Sequence, residues 1–424
     1  MREHIERVGV VFYEKKNQNM KAGWEIKTLG DVCDFQRGLT YTKSDEVEIS
    51  NNVVLRATNV NLATNLLDFT ELKYISDNVI VPESKKIKTG SLIICTASGS
   101  KSHLGKVAYI DEDYGYAFGG FMGMITPKQN LNSSFLFHLM TSGAYKDFIA
   151  AVSDGANINN LKFDDLKKFT VPLPPLPEQK RLVTLLDEAF ESIATAKANA
   201  EQNLKNARAL FESHLNEVFT KRGEGWEVKP LSHFASTVST GPFGSLLHKS
   251  DYVSEGVPLV NPINIVNGKI IPNEDKLIDE STKQRLQNYV LQEGDVILGR
   301  RGEIGRCAVV NVEQAGWICG TGCFFIRPLA TITPDFLAGL IRSSGYREQL
   351  ENASTGATML NLSNKAISDL SIAVPTLAEQ QNLLKKLDLI SEETQRLKAL
   401  YSRKIAALDE LKKALLHRAF SGEL

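Results

Sequence analysis

The stretch Val171–Glu188 reads VPLPPLPEQKRLVTLLDE, and the stretch Ile372–Leu389 reads IAVPTLAEQQNLLKKLDL. Each places proline before a Glu-Gln pair (Glu178-Gln179, Glu379-Gln380) and then a leucine-spaced run. Proline removes a backbone donor and presets φ for a first helical turn, so each stretch reads as the end of a compact domain and the start of a helix. Neither Gly nor Pro occurs in Glu178–Arg222 or in Thr376–Ser421. In the first run Leu182, Leu186, Ala189, Ile193, Ala196, Ala200, Leu204, Ala207, Phe211, Leu215 and Val218 step by three or four. In the second, Leu383, Leu387, Ile390, Thr394, Leu397, Tyr401, Ile405, Leu408, Leu411 and Leu415 do the same. Such spacing predicts two rods of roughly 60–65 Å, each with one apolar seam. A lone rod would expose its seam, so the two are expected to pack on each other antiparallel.

The rest of the chain is also written twice. GWEIKTLGDV from Gly23 matches GWEVKPLSHF from Gly225, and KTGSLIICTASGSKSHLGKVAYI from Lys88 matches QEGDVILGRRGEIGRCAVV from Gln292. YAFGGFMGMITP from Tyr116 pairs with WICGTGCFFIRP from Trp317, and SDGANINNLKFDDLKKF from Ser153 with STGATMLNLSNKAISDL from Ser354. One order of blocks over nearly the whole chain is a tandem duplication. SLIICTA, KVAYI and GMITP read as strands in the first copy; DVILGR, RCAVVNV and CFFIRP do so in the second. A helical segment follows each group. The expected fold class is α+β: two similar mixed α/β domains separated by two long helices in an antiparallel coiled coil, related by a pseudo-twofold axis. The division expected is an N-terminal extension (1–22), a first domain (23–177), a first helix (178–222), a second domain (223–375) and a second helix (376–424). That arrangement would set the two domains at opposite ends of a ruler.

Composition narrows the class. With 42% hydrophobic and 23% charged residues among 424, the chain is an ordinary soluble protein with room for two or three cores. No apolar run approaches the ~20 residues of a membrane span, and the N-terminus does not read as a signal peptide. Five cysteines without regular spacing fit a reducing cytoplasm. A net charge of −1 means that any nucleic-acid contact needs local basic clusters.

Catalytic motifs fail on spacing. In SGSKSHLGKV, Gly99 and Gly105 enclose five residues rather than four and Val107 stands where a phosphate loop needs Ser or Thr. NPIN at Asn261 lacks the second proline and the ring of an adenine-methyltransferase motif. The Glu-x-Lys triplets at Glu25 and Glu227 lack a nearby upstream Asp in a strand-like context, and Cys319 and Cys323 lack further spaced ligands. The chain reads as non-catalytic, with no metal site.

The domain–helix–domain–helix order, PPLPEQ and PTLAEQ, the GWE opening of each half and the terminal AFSGEL together resemble the specificity subunit of a type I restriction-modification enzyme. The resemblance runs from Gly23 to Leu424; the stretch before Lys21 precedes the start expected of that family. It implies that each domain is a target recognition domain reading half of a split double-stranded DNA sequence. It also implies that the helices dock two methyltransferase subunits, through which restriction subunits join. S-adenosylmethionine, ATP and Mg would belong to those partners, with no cofactor in this chain.

A split-site reader needs hydrogen-bonding groups on turns beside cations for phosphates. In the first domain these are Arg37, Thr40, Tyr41, Lys43, Arg56, Asn59, Ser98, Ser100, Lys101, Lys106, Asn157, Asn159 and Asn160. In the second they are Thr240, Ser245, Lys249, Asn261, Asn264, Arg300, Arg301, Arg306, Thr358 and Asn361. Any one such cluster is as readily a plain turn, and surface arginines are usually solvated. Their recurrence at matching places with different residue types favours two readers on one scaffold. A specificity module of another methylation or defence complex is the main alternative, and a coiled-coil bridging protein without DNA is the second.

Overall fold

The computed structural model describes residues 21–153, 160–221, 223–243, 246–272, 276–354 and 361–424. The chain splits into two compact units, one of Met1–Ala200 with Arg403–Leu424, the other of Glu201–Ser402. The linear blocks read from the sequence give the order of segments, but the contacts group them otherwise. Each domain shares its unit with part of both long helices, because the seams close against each other and against the domain.

In the first unit an antiparallel sheet has the order Cys33–Arg37, Met122–Pro127, Leu92–Cys95, Val107–Tyr109. The central run Leu92–Cys95 is buried at every residue because both sheet faces are covered. Leu92 and Ile94 face a core with the helices Ser133–Leu139 and Gly143–Ser153, whereas Ile93 and Cys95 face a core with Leu55, Ile110 and Phe118. A second sheet runs Glu46–Val47, Lys73–Ile75, Asn52–Leu55, Ala117–Phe118, its last pair parallel. Glu25–Thr28 pairs antiparallel with Thr170–Leu173 and ties the two ends of the domain together.

The second unit repeats this topology. Its main sheet is Ala235–Thr240, Cys323–Pro328, Val296–Gly299, Cys307–Val309, and its second is Tyr252–Val253, Leu277–Ile278, Val257–Val260, Ile318–Cys319. Glu227–Pro230 and Ser371–Val374 close it as in the first. The five cysteines are free and buried, and burial pushes the Cys33 and Cys307 thiols up to about 12.

The long helices are Leu176–Thr220 and Leu377–Ser421, 45 residues each. In the first unit Leu182 and Leu186 near the start of one share a core with Leu416, Ala419 and Phe420 near the end of the other. In the second unit Leu215 and Phe219 share a core with Leu387. Both pairings have the antiparallel sense. One seam position shifts: Leu411 is 47% exposed, and the buried stripe passes instead to Leu416, Ala419 and Phe420, since a 3.6-residue turn drifts from any fixed three/four count.

The Glu-Gln pair now has a physical reason. Gln179 is fully buried; its Oε1 accepts from Asn132 N at 2.7 Å, and its Nε2 donates to Asn130 O at 3.0 Å and Pro174 O at 2.8 Å. Asn132 is the N-cap of Ser133–Leu139, so the amide locks the first turn of the long helix to the cap of a domain helix. Gln380 does the same with Thr333 N (2.8 Å), Thr331 O (2.9 Å) and Pro375 O (2.9 Å). Only a side chain with both donor and acceptor satisfies this set. The glutamates differ. Glu178 binds Arg181 and Lys21, which hold its carboxyl down to about 2, and Arg181 and Lys21 also donate to Leu424 O. Glu379 instead accepts from Trp226 Nε1 at 3.0 Å.

Candidate nucleic-acid interface

In each unit four loops meet at one end of the main sheet's strands. In the first, Gly38 N donates to Met122 O and Gly119 N to Leu55 O, Leu39 bridges Gly119, and Ala97 bridges Asn160. A Cβ on Gly38 would lie 1.9 Å from Gly119 O, so only glycine permits this approach. In the second, Gly241 N donates to Cys323 O, Gly320 N to Val260 O, and Arg301 bridges Asn361. The matching Cβ, on Gly241, would lie 2.0 Å from Gly320 O. The same crossing is therefore built twice from the backbone upward.

The first cluster brings Arg37, Thr40, Tyr41, Ser98, Ser100 and Asn160 together, and all but Tyr41 and Ser98 are exposed. Arg37 lies over the Phe163 ring at 5.2 Å and lines an open cleft of about 390 Å³ with Asn160, Lys162, Asp164 and Lys167. Three cations there face one carboxylate. Arg56 borders the cluster, and its Nε is buried with no hydrogen-bond partner among the described residues. Lys43 and Lys249 open matching exposed turns, closed by Asp45 and Asp251 through Thr42 N and His248 N at 2.7 Å each.

The second cluster brings Asn261, Arg300, Arg301, Arg306 and Asn361 together. Arg300 Nε donates to Leu362 O at 2.9 Å while its guanidinium lies over Phe243 at 5.5 Å and Phe324 at 5.9 Å. Arg306 donates to Pro262 O and pairs with Glu303. Arg301 is exposed, and Asn361 Oδ1 is buried without a partner among the described residues.

Four expected contacts are corrected by burial. Asn59 Oδ1 accepts from Arg56 N and its Nδ2 donates to Asp68 O and Glu71 O, so the amide holds its own loop. Asn264 repeats this with Asn261 N and Ile271 O. Lys106 is buried and donates to Val60 O at 2.7 Å, with His103 Nδ1 at 2.8 Å. Thr240 is buried at a strand end. These four build the scaffold under the loops. Asn157, Asn159, Ser245 and Thr358 lie outside the described residues, as does the side chain of Lys101.

Sequence reasoning missed Lys162 and Lys167, which lie inside the repeat block but beside Asp164 and Asp165, where they read as the solvated face of a short helix. It also missed Phe121, whose partner in the aligned copies, Gly322, was the available signal.

The type I restriction modification DNA specificity domain family matches the chain twice, over residues 21–206 and 223–402. The chain belongs to that family. The two specificity-domain matches each take in one loop cluster and part of a long helix. The type I restriction enzyme EcoKI specificity subunit of Escherichia coli (strain K12) is 26% identical over 419 residues, covering 95% of this chain and 89% of the relative. The StySPI specificity subunit of Salmonella potsdam is also 26% identical, over 424 residues, with the same coverage. Among solved structures, a chain from work on assembly and conformational transition of the type I R-M system superposes with a TM-score of 0.77 at 21% identity. That match covers 96% of this chain and 100% of the other. The HsdS subunit from Thermoanaerobacter tengcongensis gives a TM-score of 0.63 at 21% identity, over 96% and 98%. These likenesses carry the fold; the loop clusters must be read from this chain's own residues. Among the described residues no helix is long and apolar enough to cross a membrane.

Proposed function

We propose that the chain is the DNA-reading specificity subunit of a cytoplasmic type I restriction-modification complex. Each loop cluster reads one half of a bipartite double-stranded target. The long helices carry two methyltransferase subunits, and restriction subunits join through these. S-adenosylmethionine, ATP and Mg are used by those partners, and this chain supplies recognition without chemistry.

One observation carries the reading: the same glycine-gated crossing of four loops occurs in both units, with unlike side chains at matched positions. Two domains doing one identical job would favour like side chains there. The exposed cations suit phosphates (Arg37, Lys162 and Lys167 in the first cleft, Arg301 in the second cluster), and the amides and hydroxyls suit base edges.

The test is exchange of residues 24–176 for the corresponding domain of a relative, followed by sequencing of the methylated motif in host DNA. One half of the motif should change and the other should stay. A change in both halves, or in neither, would remove the division of labour.

A further inference from the structure

The two clusters share one backbone node whose side chains have been exchanged in kind. In the first unit Thr96 N donates to Phe121 O at 2.9 Å; in the second Arg300 N donates to Gly322 O at 2.8 Å. The flanking strands are in the same register, since Cys95 N donates to Lys106 O and Gly299 N to Arg306 O. The node thus carries Thr and Phe on one side of the duplication, Arg and Gly on the other.

Phe121 is 74% exposed. Folding does not require a ring there, because the second unit closes the same turn with Gly322. The turn is fixed all the same: Phe121 O accepts from Thr96 N, from Ala97 N at 3.1 Å and from Thr96 Oγ1 at 2.9 Å. A rigid backbone therefore presents a phenyl ring to water among the loops of Thr40, Ser98 and Asn160. Every neighbour can hydrogen-bond and the ring cannot.

Among the groups that bases show in the major groove, one is apolar, the C5-methyl of thymine. We infer that Phe121 is a specificity-determining contact of the first unit, packing on a thymine methyl in its half-site, while Arg300 at the matched node serves the second half-site. The inference rests on the DNA-reading function proposed above. Arginine most often reads guanine O6 and N7, so one node yields opposite base preferences from a single backbone.

The experiment uses the full chain assembled with its methyltransferase subunits and duplexes bearing its own methylated motif. Each thymine of the half-site assigned to the first unit is replaced singly by uracil, which removes only the methyl group. Wild-type affinity should fall about three- to fivefold at one thymine, the worth of one buried methyl. Phe121→Ala should bind the thymine duplex about tenfold more weakly and lose nothing further with uracil at that position. Phe121→Leu should restore part of the affinity and the sensitivity to uracil. Because the ring is exposed, Phe121→Ala should melt like the wild type. A wild type indifferent to uracil at every thymine overturns the inference, as does a Phe121→Ala complex that is weakened yet still responds to uracil. A wild-type complex that does not prefer its motif over a scrambled duplex overturns the DNA-reading function itself, and the role of Phe121 with it.

Discussion

Behind the loop clusters, at one matched pair of positions, Ser91 Oγ and Thr126 Oγ1 share a hydrogen bond of 2.8 Å in the first unit. In the second unit Asp295 and Arg327 stand there, joined by two bonds of 2.9 Å each. Asp295 is 1% exposed and also accepts from Gln292 N. Both pairs satisfy their polar groups, so the scaffold accepts either chemistry, but they should fail differently. Truncating one hydroxyl removes a neutral bond, whereas truncating the arginine leaves a carboxylate buried without its cation.

Arg327→Ala should therefore destabilise the second unit by about 3–5 kcal/mol, against about 1 kcal/mol for Ser91→Ala in the first. Native-state hydrogen exchange of the central strands, Val296–Gly299 and Leu92–Cys95, would assign each loss to its unit. Importing the hydroxyl pair, Asp295→Ser with Arg327→Thr, should recover most of the loss. If the double variant is no more stable than Arg327→Ala alone, the two pairs are not interchangeable.

The junction of domain and helix shows the reverse. Gln179 and Gln380 bind the same three kinds of partner at distances that agree within about 0.1 Å. Gln179→Ala and Gln380→Ala should each cost about 2–3 kcal/mol, since each strands a buried amide donor and its carbonyls. Exchange protection of Ser133–Leu139 and Pro334–Arg342 would report the two losses separately. Losses that differ by more than about 1 kcal/mol would mean that the duplication has let one junction come to depend on other contacts.

This contrast also explains what the sequence alone made legible. The Glu-Gln pairs, the seams and the repeated strand runs are visible because burial constrains residue type in both copies. Position and partner were not visible together. Asn59 and Asn264 look like surface readers as letters, yet their amides close their own loops, and Lys106 looks like a phosphate contact until burial turns it toward Val60 O. Gln179 was legible as part of a motif, but its role needs Asn130 and Asn132, which are distant in sequence. Phe121 was hidden for the opposite reason: one exposed ring in a glycine turn has no periodicity to betray it.

The smallest expected difference between the units concerns pH. His138 is 5% exposed, with Nε2 2.8 Å from Asp187 Oδ1 and its ring edge-on to Phe190 at 5.4 Å. Lys412 Nζ lies over the same Phe190 ring, 4.8 Å from its centroid. The matched residue in the second unit is Gly339, whose space is filled by Phe219. Burial pushes the imidazole below its ordinary 6.5, outweighing the hydrogen bond and charge of Asp187, and the Lys412 charge lowers it further. The unfolded chain therefore takes up a proton at higher pH than the folded one does. Stability of the first unit should be full above about 6.5 and decline as pH falls below it. Exchange protection of Ser133–Leu139 should then drop between pH 7 and pH 5 relative to Pro334–Arg342. His138→Gln keeps a donor for Asp187 without titrating, so it should remove that relative drop while leaving the carboxylate contributions common to both proteins. A pH dependence that is the same in His138→Gln and wild type would place the titration elsewhere in the unit.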